Sequence, residues 1–221
     1  MANKIYLSPS SQPENTYSAG NTNEQEVCQK IARAADTALK RCGFDTICAD
    51  YGNMYSRVEE SNQWGANLHV PIHTNGFNKK VAGTRIMCHD LKGEGYKASV
   101  AVYDVLAPIT PGTSENITAH PKLYEIRESK APCVYIEVDF HDVPEVAQWL
   151  IDNTVRIGEA ICEGICNHYG VVYKVAEKEE PKNEIYRVQV DFKNEKFALD
   201  MCKELKEKGY DAFVTGYWRL K

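Results

Sequence analysis

The sequence of 221 residues lacks any uninterrupted apolar run near the roughly 18 residues that a membrane-spanning helix needs. It also lacks an opening with the composition of a signal peptide, because "MANKIYLSPSS" is short and polar before its first predicted turn. We therefore expect a protein that is made in the cytoplasm and does not insert into a membrane.

An excess of basic residues is missing as well. The chain carries 26 Lys and Arg against 31 Asp and Glu, a net charge of −5, and its pI is about 5.7. Nucleic acid is therefore not expected as the main partner. The chain has 8 cysteines but no C-x-x-C pair, and most of them lie inside apolar runs. This distribution is typical of buried, reduced thiols.

Short apolar runs alternate with amphipathic helical patterns along most of the chain. Strand patterns occur at "KIYL", "DTICAD", "LHVPIH", "GTRIMCHD" and "PCVYIEVDF". Helical patterns occur at "NEQEVCQKIARAADTALKRCGF", "YSRVEESNQWGAN", "GYKASVAVYDVLAPI" and one long stretch, "PEVAQWLIDNTVRIGEAICEGICNHYG", while "TPGTSENITAHP" is predicted to be a loop. The alternation predicts an α/β fold over residues 1–173, a three-layer domain with a mostly parallel central sheet flanked by helices. Functional loops are expected at the carboxyl ends of the strands.

The pattern changes after residue 173. Residues 174–183 are charged and without periodicity, which predicts a linker. Residues 184–221 then predict a small β-α-β unit, with strands at "IYRVQVDF" and "YDAFVTGYW" around the helix "NEKFALDMCKELKEKG". Such a short unit cannot bury a large core. We expect it to pack on the main domain or to pair with a second copy, which makes a homodimer possible.

The residues best suited to chemistry follow or interrupt two of the predicted strands. His73 ends the strand "LHVPIH", shortly before the turn residue Asn75. Glu137 lies inside an apolar strand, and Asp139 and His141 follow it. A carboxylate in such a strand costs several kcal/mol unless it is paired, hydrogen-bonded or close to a cation. A structural ion pair and a catalytic or metal-linked role are both open for Glu137.

Three ordered segments, "NEQEVCQKIA", "RVEESNQWGANLHVPIHTN" and "APCVYIEVDF", carry a resemblance to a known family. Residues 4–170 resemble the zinc-dependent N-acetylmuramoyl-L-alanine amidases of the amidase-3 type, which cut peptidoglycan between muramic acid and the stem peptide. The resemblance implies that Glu24 and His73 are zinc ligands and that Glu137 is the catalytic glutamate. Such a zinc ion lowers the pKa of a bound water toward ~7, and Glu137 would pass the water's proton to the leaving nitrogen.

One position departs from the family pattern. The family has a histidine ligand after the first strand, where this chain has Ser11 with Gln12 beside it. Three explanations of this departure are open. Another histidine is the third zinc ligand, Gln12 or a water molecule takes that place as a weaker ligand, or the protein does not hold a catalytic zinc ion. His69 shares a strand face with His73, but their separation of roughly 13 Å is too long for one ion.

His141 is our preferred third ligand, because the chain can turn back toward the metal after the strand that carries Glu137. His120 and His89 are the next candidates. Asn75 and His120 are also predicted to bind the substrate.

A second resemblance lies near the end of the chain. The segment "YRVQVDFKNEKFALDMCKELKEKGYDAFV" resembles the first half of a SPOR repeat, a module that binds peptidoglycan glycan strands. Together the two resemblances imply a zinc-dependent peptidoglycan amidase with a truncated wall-binding module. The predicted lack of a signal peptide favours a phage or prophage endolysin, which acts on the cell wall after release. A bacterial autolysin and a non-catalytic peptidoglycan-binding protein are the alternatives.

Overall fold

A computed structural model describes residues 2–176 and 194–214. The chain divides into two compact units, residues 1–177 and residues 178–221. The boundaries predicted from the sequence, with a linker at 174–183, stay a prediction.

The first unit contains six strands and six α-helices in its described part. The strands are β1 (Lys4–Pro9), β2 (Asp45–Cys48), β3 (Leu68–Asn75), β4 (Arg85–Cys88), β5 (Asn116–Ala119) and β6 (Tyr135–Phe140). The helices are α1 (Glu24–Arg41), α2 (Met54–Trp64), α3 (Gly93–Leu106), α4 (Tyr124–Glu128), α5 (Pro144–Asp152) and α6 (Thr154–Tyr169), and a short 3-10 turn (Ala107–Ile109) follows α3.

The strands form one sheet in the order β2-β1-β3-β6-β4-β5. Strands β2, β1, β3 and β6 are parallel, whereas β4 runs antiparallel to β6 and β5 runs parallel to β4. The predicted three-layer fold with a mostly parallel sheet is confirmed. The carboxyl ends of β1, β3 and β6 meet at one edge, and those of β4 and β5 lie at the other.

Two elements differ from the sequence prediction. The predicted loop "TPGTSENITAHP" contains β5, whose four residues are too few to show an alternating pattern. The predicted long final helix is divided into α5 and α6 at Asn153. The Asn153 side chain donates a hydrogen bond of 2.8 Å to the carbonyl of Trp149. Asparagine competes in this way for the backbone groups that a continuous helix would use.

The two faces of the sheet differ in chemistry. One face is apolar and packs with α1 and α6 in the main core, which includes Ile5, Leu7, Val70, Ile72, Ile136, Val138, Ile31 and Ile161. Side chains alternate along a strand, so the residues between these point to the opposite face. That face is polar and lies under α2 and α4: Tyr6 donates to Glu60 at 2.5 Å and Ser8 to Glu125 at 2.7 Å. The polar face is where a site can form.

The second unit is described only over residues 194–214, which contain α7 (Glu195–Glu207). Asn194 caps this helix by accepting a hydrogen bond of 2.9 Å from the backbone of Lys196. The predicted helix is confirmed, but residues 210–214 of "YDAFVTGYW" form no strand. The strand "IYRVQVDF" lies outside the described residues, and the SPOR-like assignment stays a prediction. None of the described helices has both the length and the apolar character needed to cross a membrane.

Candidate active site

A buried carboxylate and a buried imidazole meet at the edge formed by the ends of β1, β3 and β6. Asn23 caps α1 by accepting a hydrogen bond of 3.0 Å from the backbone of Glu26, so Glu24 is the first residue of the helix. Glu24 Oε1 lies 2.8 Å from His73 Nδ1 and accepts a hydrogen bond of 3.3 Å from the backbone of Thr74. The structure therefore brings together two of the residues predicted to bind zinc.

The second oxygen of Glu24 faces the loop after β1. Asn15 Nδ2 donates to Glu24 Oε2 at 2.6 Å and to Gln12 Oε1 at 2.7 Å. Burial raises the pKa of Glu24, but hydrogen bonds from His73, Asn15 and Ser10 and the charge of His73 outweigh burial and lower it. Glu24 is thus held as a carboxylate. Gln12 is linked to it through the side chain of Asn15.

Glu137 lies beside this pair on the polar face. It is the register partner of His73 across the parallel strands β3 and β6. Its Oε2 is shielded from solvent and has no hydrogen-bond partner among the described residues. Burial raises the pKa of Glu137, the charge of His73 opposes the rise and that of Glu24 adds to it, and the resulting pKa is about 7. An unpartnered buried carboxylate oxygen is costly in a folded protein and indicates a functional role.

The His73 ring is held at Nδ1 by Glu24 and on one face by an aromatic ring. It stacks on Tyr135 with the ring centres 4.8 Å apart and an angle of 13° between the planes. Its Nε2 lies 4.0 Å from Glu125 Oε2, opposite the nitrogen that meets Glu24. Burial lowers the pKa of His73, but the hydrogen bond to Glu24 and the charges of Glu137, Glu24 and Glu125 outweigh burial and raise it.

Glu125 is a residue that sequence reasoning missed. Its Oε1 accepts a hydrogen bond of 2.7 Å from Ser8 and lies 3.3 Å from His69 Nε2, while the other nitrogen of His69 lies 3.1 Å from Ser61 Oγ. Glu125 is therefore in contact with His69, and its second oxygen lies 4.0 Å from His73 Nε2. It comes from α4, a helix of five residues. Such a helix is too short for a buried acidic position to be visible in the sequence.

His141 lies on the other side of β3 from His73. Its Nδ1 is 3.0 Å from Thr74 Oγ1, and its ring stacks on Tyr17 with a centre distance of 5.1 Å. Thr74 follows His73 directly, so their side chains point to opposite faces of the sheet. Burial lowers the pKa of His141, and the charges of Glu24 and Asp142 oppose this effect. The structure does not bring His141 together with Glu24 and His73.

The other predicted site residues lie at different edges of the sheet. Asn75 ends β3 at the same edge as Glu24, and its Oδ1 accepts a hydrogen bond of 2.8 Å from the backbone of Gly76. His120 follows β5, and His89 follows β4. Because these two strands run opposite to β6, both histidines lie at the far edge of the sheet and away from Asn75.

Two further buried polar residues have structural roles. Asp139 accepts hydrogen bonds from the backbone of Gly83 at 2.7 Å, Phe140 at 2.7 Å and Gly112 at 3.2 Å. Its carboxylate is thereby fully used in holding the chain around β4. Arg57 donates to the carbonyl of Pro9 and fixes the end of β1 from which the Ser11 loop begins.

The donor set fits a zinc ion. Zinc in catalytic sites takes about three ligands of nitrogen, sulfur or carboxylate type and keeps an open position. Glu24 and His73 supply a carboxylate and an imidazole, and the unpartnered Glu137 Oε2 provides a proton acceptor beside them. Across residues 2–176 and 194–214, three ligand atoms from His, Cys, Asp or Glu lie within 4.8 Å of one another only at Cys42, Cys162 and Cys166. A third ligand at the Glu24–His73 pair must therefore be of another type or move into place.

Several solved structures share the fold. The catalytic domain of CwlV, an N-acetylmuramoyl-L-alanine amidase from Bacillus (Paenibacillus) polymyxa var. colistinus, aligns with a TM-score of 0.69 at 18% identity, over 78% of this chain and 100% of that chain. AmiC2, an N-acetylmuramoyl-L-alanine amidase of Nostoc punctiforme, aligns with a TM-score of 0.66 at 18% identity, over 76% of this chain and 97% of that one. The catalytic domain of the CD27L endolysin, which targets Clostridia difficile, aligns with a TM-score of 0.63 at 19% identity, over 76% and 97%.

Comparison with curated protein sequences gives no significant match. A family model, Amidase_3, described as N-acetylmuramoyl-L-alanine amidase, matches residues 10–167. This span contains Glu24, His73, Glu125 and Glu137 and most of the first unit. The chain belongs to the Amidase_3 family of N-acetylmuramoyl-L-alanine amidases.

Proposed function

We propose that the protein is a zinc-dependent hydrolase that cleaves the amide bond between N-acetylmuramic acid and the L-alanine of the peptidoglycan stem peptide. The observation that carries the proposal is the buried Glu137 Oε2, which has no hydrogen-bond partner in the described part of the chain and lies beside the Glu24–His73 pair. Membership of the family supports the substrate class. A merely structural Glu137 would be expected to have its two oxygens paired.

Glu24 and His73 would hold the zinc ion. The bound ion would lower the pKa of a water ligand toward ~7 and polarise the substrate carbonyl. For the third ligand the contacts favour Gln12 over His141. Gln12 is linked to Glu24 through Asn15, whereas His141 points to the other side of β3. An amide oxygen binds zinc more weakly than an imidazole, so we expect the ion to be held less tightly than by two histidines and a carboxylate.

Glu137 would move the proton. A general base works best when its pKa lies near the working pH, and burial raises the pKa of Glu137 to about 7. Its ionised Oε2 can accept a proton from the attacking water and, as a carboxylic acid, return it to the amide nitrogen that leaves. Its position is set by the backbone pairing of β3 and β6, so the base does not depend on a loop.

Asn75 is proposed to contact the substrate, because it ends β3 at the edge where Glu24 lies. His120 lies at the far edge of the sheet, so its position does not support the same role. We further propose that the protein acts as an endolysin and that residues 184–221 bind the cell wall. The fold is shared with the CD27L endolysin catalytic domain, and to a similar degree with the amidases CwlV and AmiC2.

The test is product analysis on purified peptidoglycan. The expected products are stem peptides with a free N-terminal alanine and glycan strands with an unsubstituted lactyl carboxylate on muramic acid, both detected by mass spectrometry. Cleavage of glycosidic bonds or of bonds within the peptide, or binding without any cleavage by the zinc-loaded protein, would refute the proposed reaction.

A further inference from the structure

Three buried cysteine thiols meet at the far end of α1 from Glu24. Cys42 follows the last residue of α1, and Cys162 and Cys166 lie one turn apart on α6. Eighteen residues of helix place Cys42 about 27 Å from Glu24 along the helix axis, at a rise of 1.5 Å per residue. The cluster is therefore separate from the candidate active site.

The close packing of α1 on α6 brings the thiols together. A Cβ atom at Gly158 would lie 2.6 Å from Ala34 Cβ and 2.8 Å from the carbonyl of Ile31, so only glycine fits this contact. The helices are thus held at a fixed separation just before the cysteines. Because the three cysteines lie on or next to two tightly packed helices, they are already close together before any ion binds.

The sulfur spacing matches that of a metal-thiolate centre. The Sγ atom of Cys162 lies 3.8 Å from that of Cys42 and 4.0 Å from that of Cys166, and all three sulfurs lie within 4.8 Å of one another. Three thiolates bound to one tetrahedral zinc ion at about 2.3 Å have their sulfurs about 3.8 Å apart. The thiols are free, and a disulfide would require about 2.05 Å.

Burial raises the pKa of the Cys162 thiol, and it raises the pKa of Cys166 to about 12, so a metal must displace both protons as it binds. The backbone N–H of Lys174 donates to Cys42 Sγ at 3.3 Å. Next to Cys42 in the chain, the Arg41 guanidinium is held by Glu159 at 2.5 Å. A hydrogen-bond donor and an ion pair therefore adjoin the cluster at Cys42.

We propose that Cys42, Cys162 and Cys166 bind a second zinc ion, which clamps the end of α1 to α6. Each thiol releases its proton to solvent as its S–Zn bond forms, and a water molecule completes the tetrahedral coordination. The ion has a structural role and takes no part in the reaction at Glu137. This site does not depend on the function proposed above.

Cobalt(II) is the probe of choice, because only thiolate ligands give intense cobalt charge-transfer absorption in the near ultraviolet. Titration of the reduced, chelator-treated full chain should give this absorption, with a final intensity that corresponds to one thiolate-bound ion per chain. Cys162→Ser should lose most of the absorption and weaken cobalt binding at least tenfold. Cys88→Ser, which changes a buried cysteine outside the cluster, and His73→Ala should both keep it.

A second measurement uses the wild-type chain alone, so that it does not depend on the folding of a variant. Added zinc should slow alkylation of Cys42, Cys162 and Cys166 at least tenfold relative to Cys88, as followed by mass spectrometry. Equal alkylation rates with and without zinc would overturn the proposal. So would a cobalt spectrum without charge-transfer absorption, or one that Cys162→Ser leaves unchanged.

Discussion

His73 and Glu137 are register partners on the neighbouring parallel strands β3 and β6, and both project from the polar face of the sheet. The backbone pairing of the two strands therefore sets the spacing between an imidazole that can hold a metal and a carboxylate that can move a proton. Glu24 reaches the same point from the first turn of α1. The candidate site is built on regular elements, which favours a fixed geometry.

Replacing Glu137 by glutamine should separate catalysis from metal binding. Glu137→Gln keeps the shape of the side chain but cannot accept a proton, so the rate of amide cleavage should fall on the order of 10²-fold or more. Zinc content, measured by elemental analysis, should not change. The exposed Glu145→Gln is the matched control and should retain full activity. If Glu137→Gln cleaves the amide at the wild-type rate, Glu137 is not the proton acceptor and has only a structural role.

The raised pKa of Glu137 predicts a pH-dependent stability of the metal-free protein. Below about pH 4.5 both folded and unfolded chains carry the proton; between about pH 4.5 and 7 only the folded chain keeps it. The contribution of this group to the free energy of unfolding therefore falls as pH rises, by about 3 kcal/mol in all. Glutamine does not titrate, so Glu137→Gln should gain stability relative to wild type between pH 4.5 and 8.

Urea denaturation of both proteins at several pH values, with a chelator present, measures this difference. A constant difference across the range would show that the pKa of Glu137 is not raised in the folded protein.

Glu125→Gln should weaken zinc binding through His73. When His73 Nδ1 binds the ion, its proton is on Nε2, which faces Glu125 Oε2. Ser8 donates a hydrogen bond to Oε1 of Glu125. If the one carbonyl oxygen of a glutamine keeps that bond, its NH2 group lies on the side of His73 Nε2, where it cannot accept a proton. Loss of such an outer partner typically lowers metal affinity 10- to 100-fold. Competition with a chromophoric chelator measures the affinity.

The exposed Glu128 lies on the same short helix as Glu125. Glu128→Gln is therefore the matched control and should bind zinc as the wild type does. Unchanged affinity in Glu125→Gln would show that Glu125 serves only to hold His69 and Ser8.

The third ligand can be located by three substitutions. Gln12→Ala should lower zinc affinity, and Ser11→His should raise it, because an imidazole would then face the metal from the same loop. His141→Ala should leave the affinity unchanged and lower stability instead, since its ring packs on Tyr17. Isothermal titration of the three variants, made in the Cys162→Ser background so that only the active site takes up zinc, decides between the loop and His141. Loss of zinc in His141→Ala alone would restore the assignment made from the sequence.

The order of elements could be predicted from the sequence because the apolar strands and amphipathic helices alternate clearly. The pair Glu24 and His73 also follows from the family motif, and the structure places the two in contact. By contrast, the direction of β4 and β5 depends on long-range pairing that no local pattern encodes. The edge at which His120 lies could therefore not be predicted, because the sequence predicts a loop where β5 precedes it.

The contact of His141 with Thr74 could not be predicted for a different reason. Whether a side chain points to one face of a strand or to the other depends on the register, and a shift by one residue reverses it. His141 follows the end of β6, where the alternation of the strand no longer constrains it. Its partner Thr74 became evident only from the fold.

The central claim is that Glu24, His73 and Glu137 carry out zinc-dependent hydrolysis of the muramoyl–alanine amide. The most direct measurement is the release of free N-terminal alanine from purified peptidoglycan by chelator-treated protein during titration with zinc. It is made in the Cys162→Ser background, so that only the active site takes up the ion. The account predicts no release without zinc, full activity near one equivalent, and no recovery in His73→Ala. Release that persists in the chelated protein, or zinc-loaded protein that frees no alanine, would contradict it.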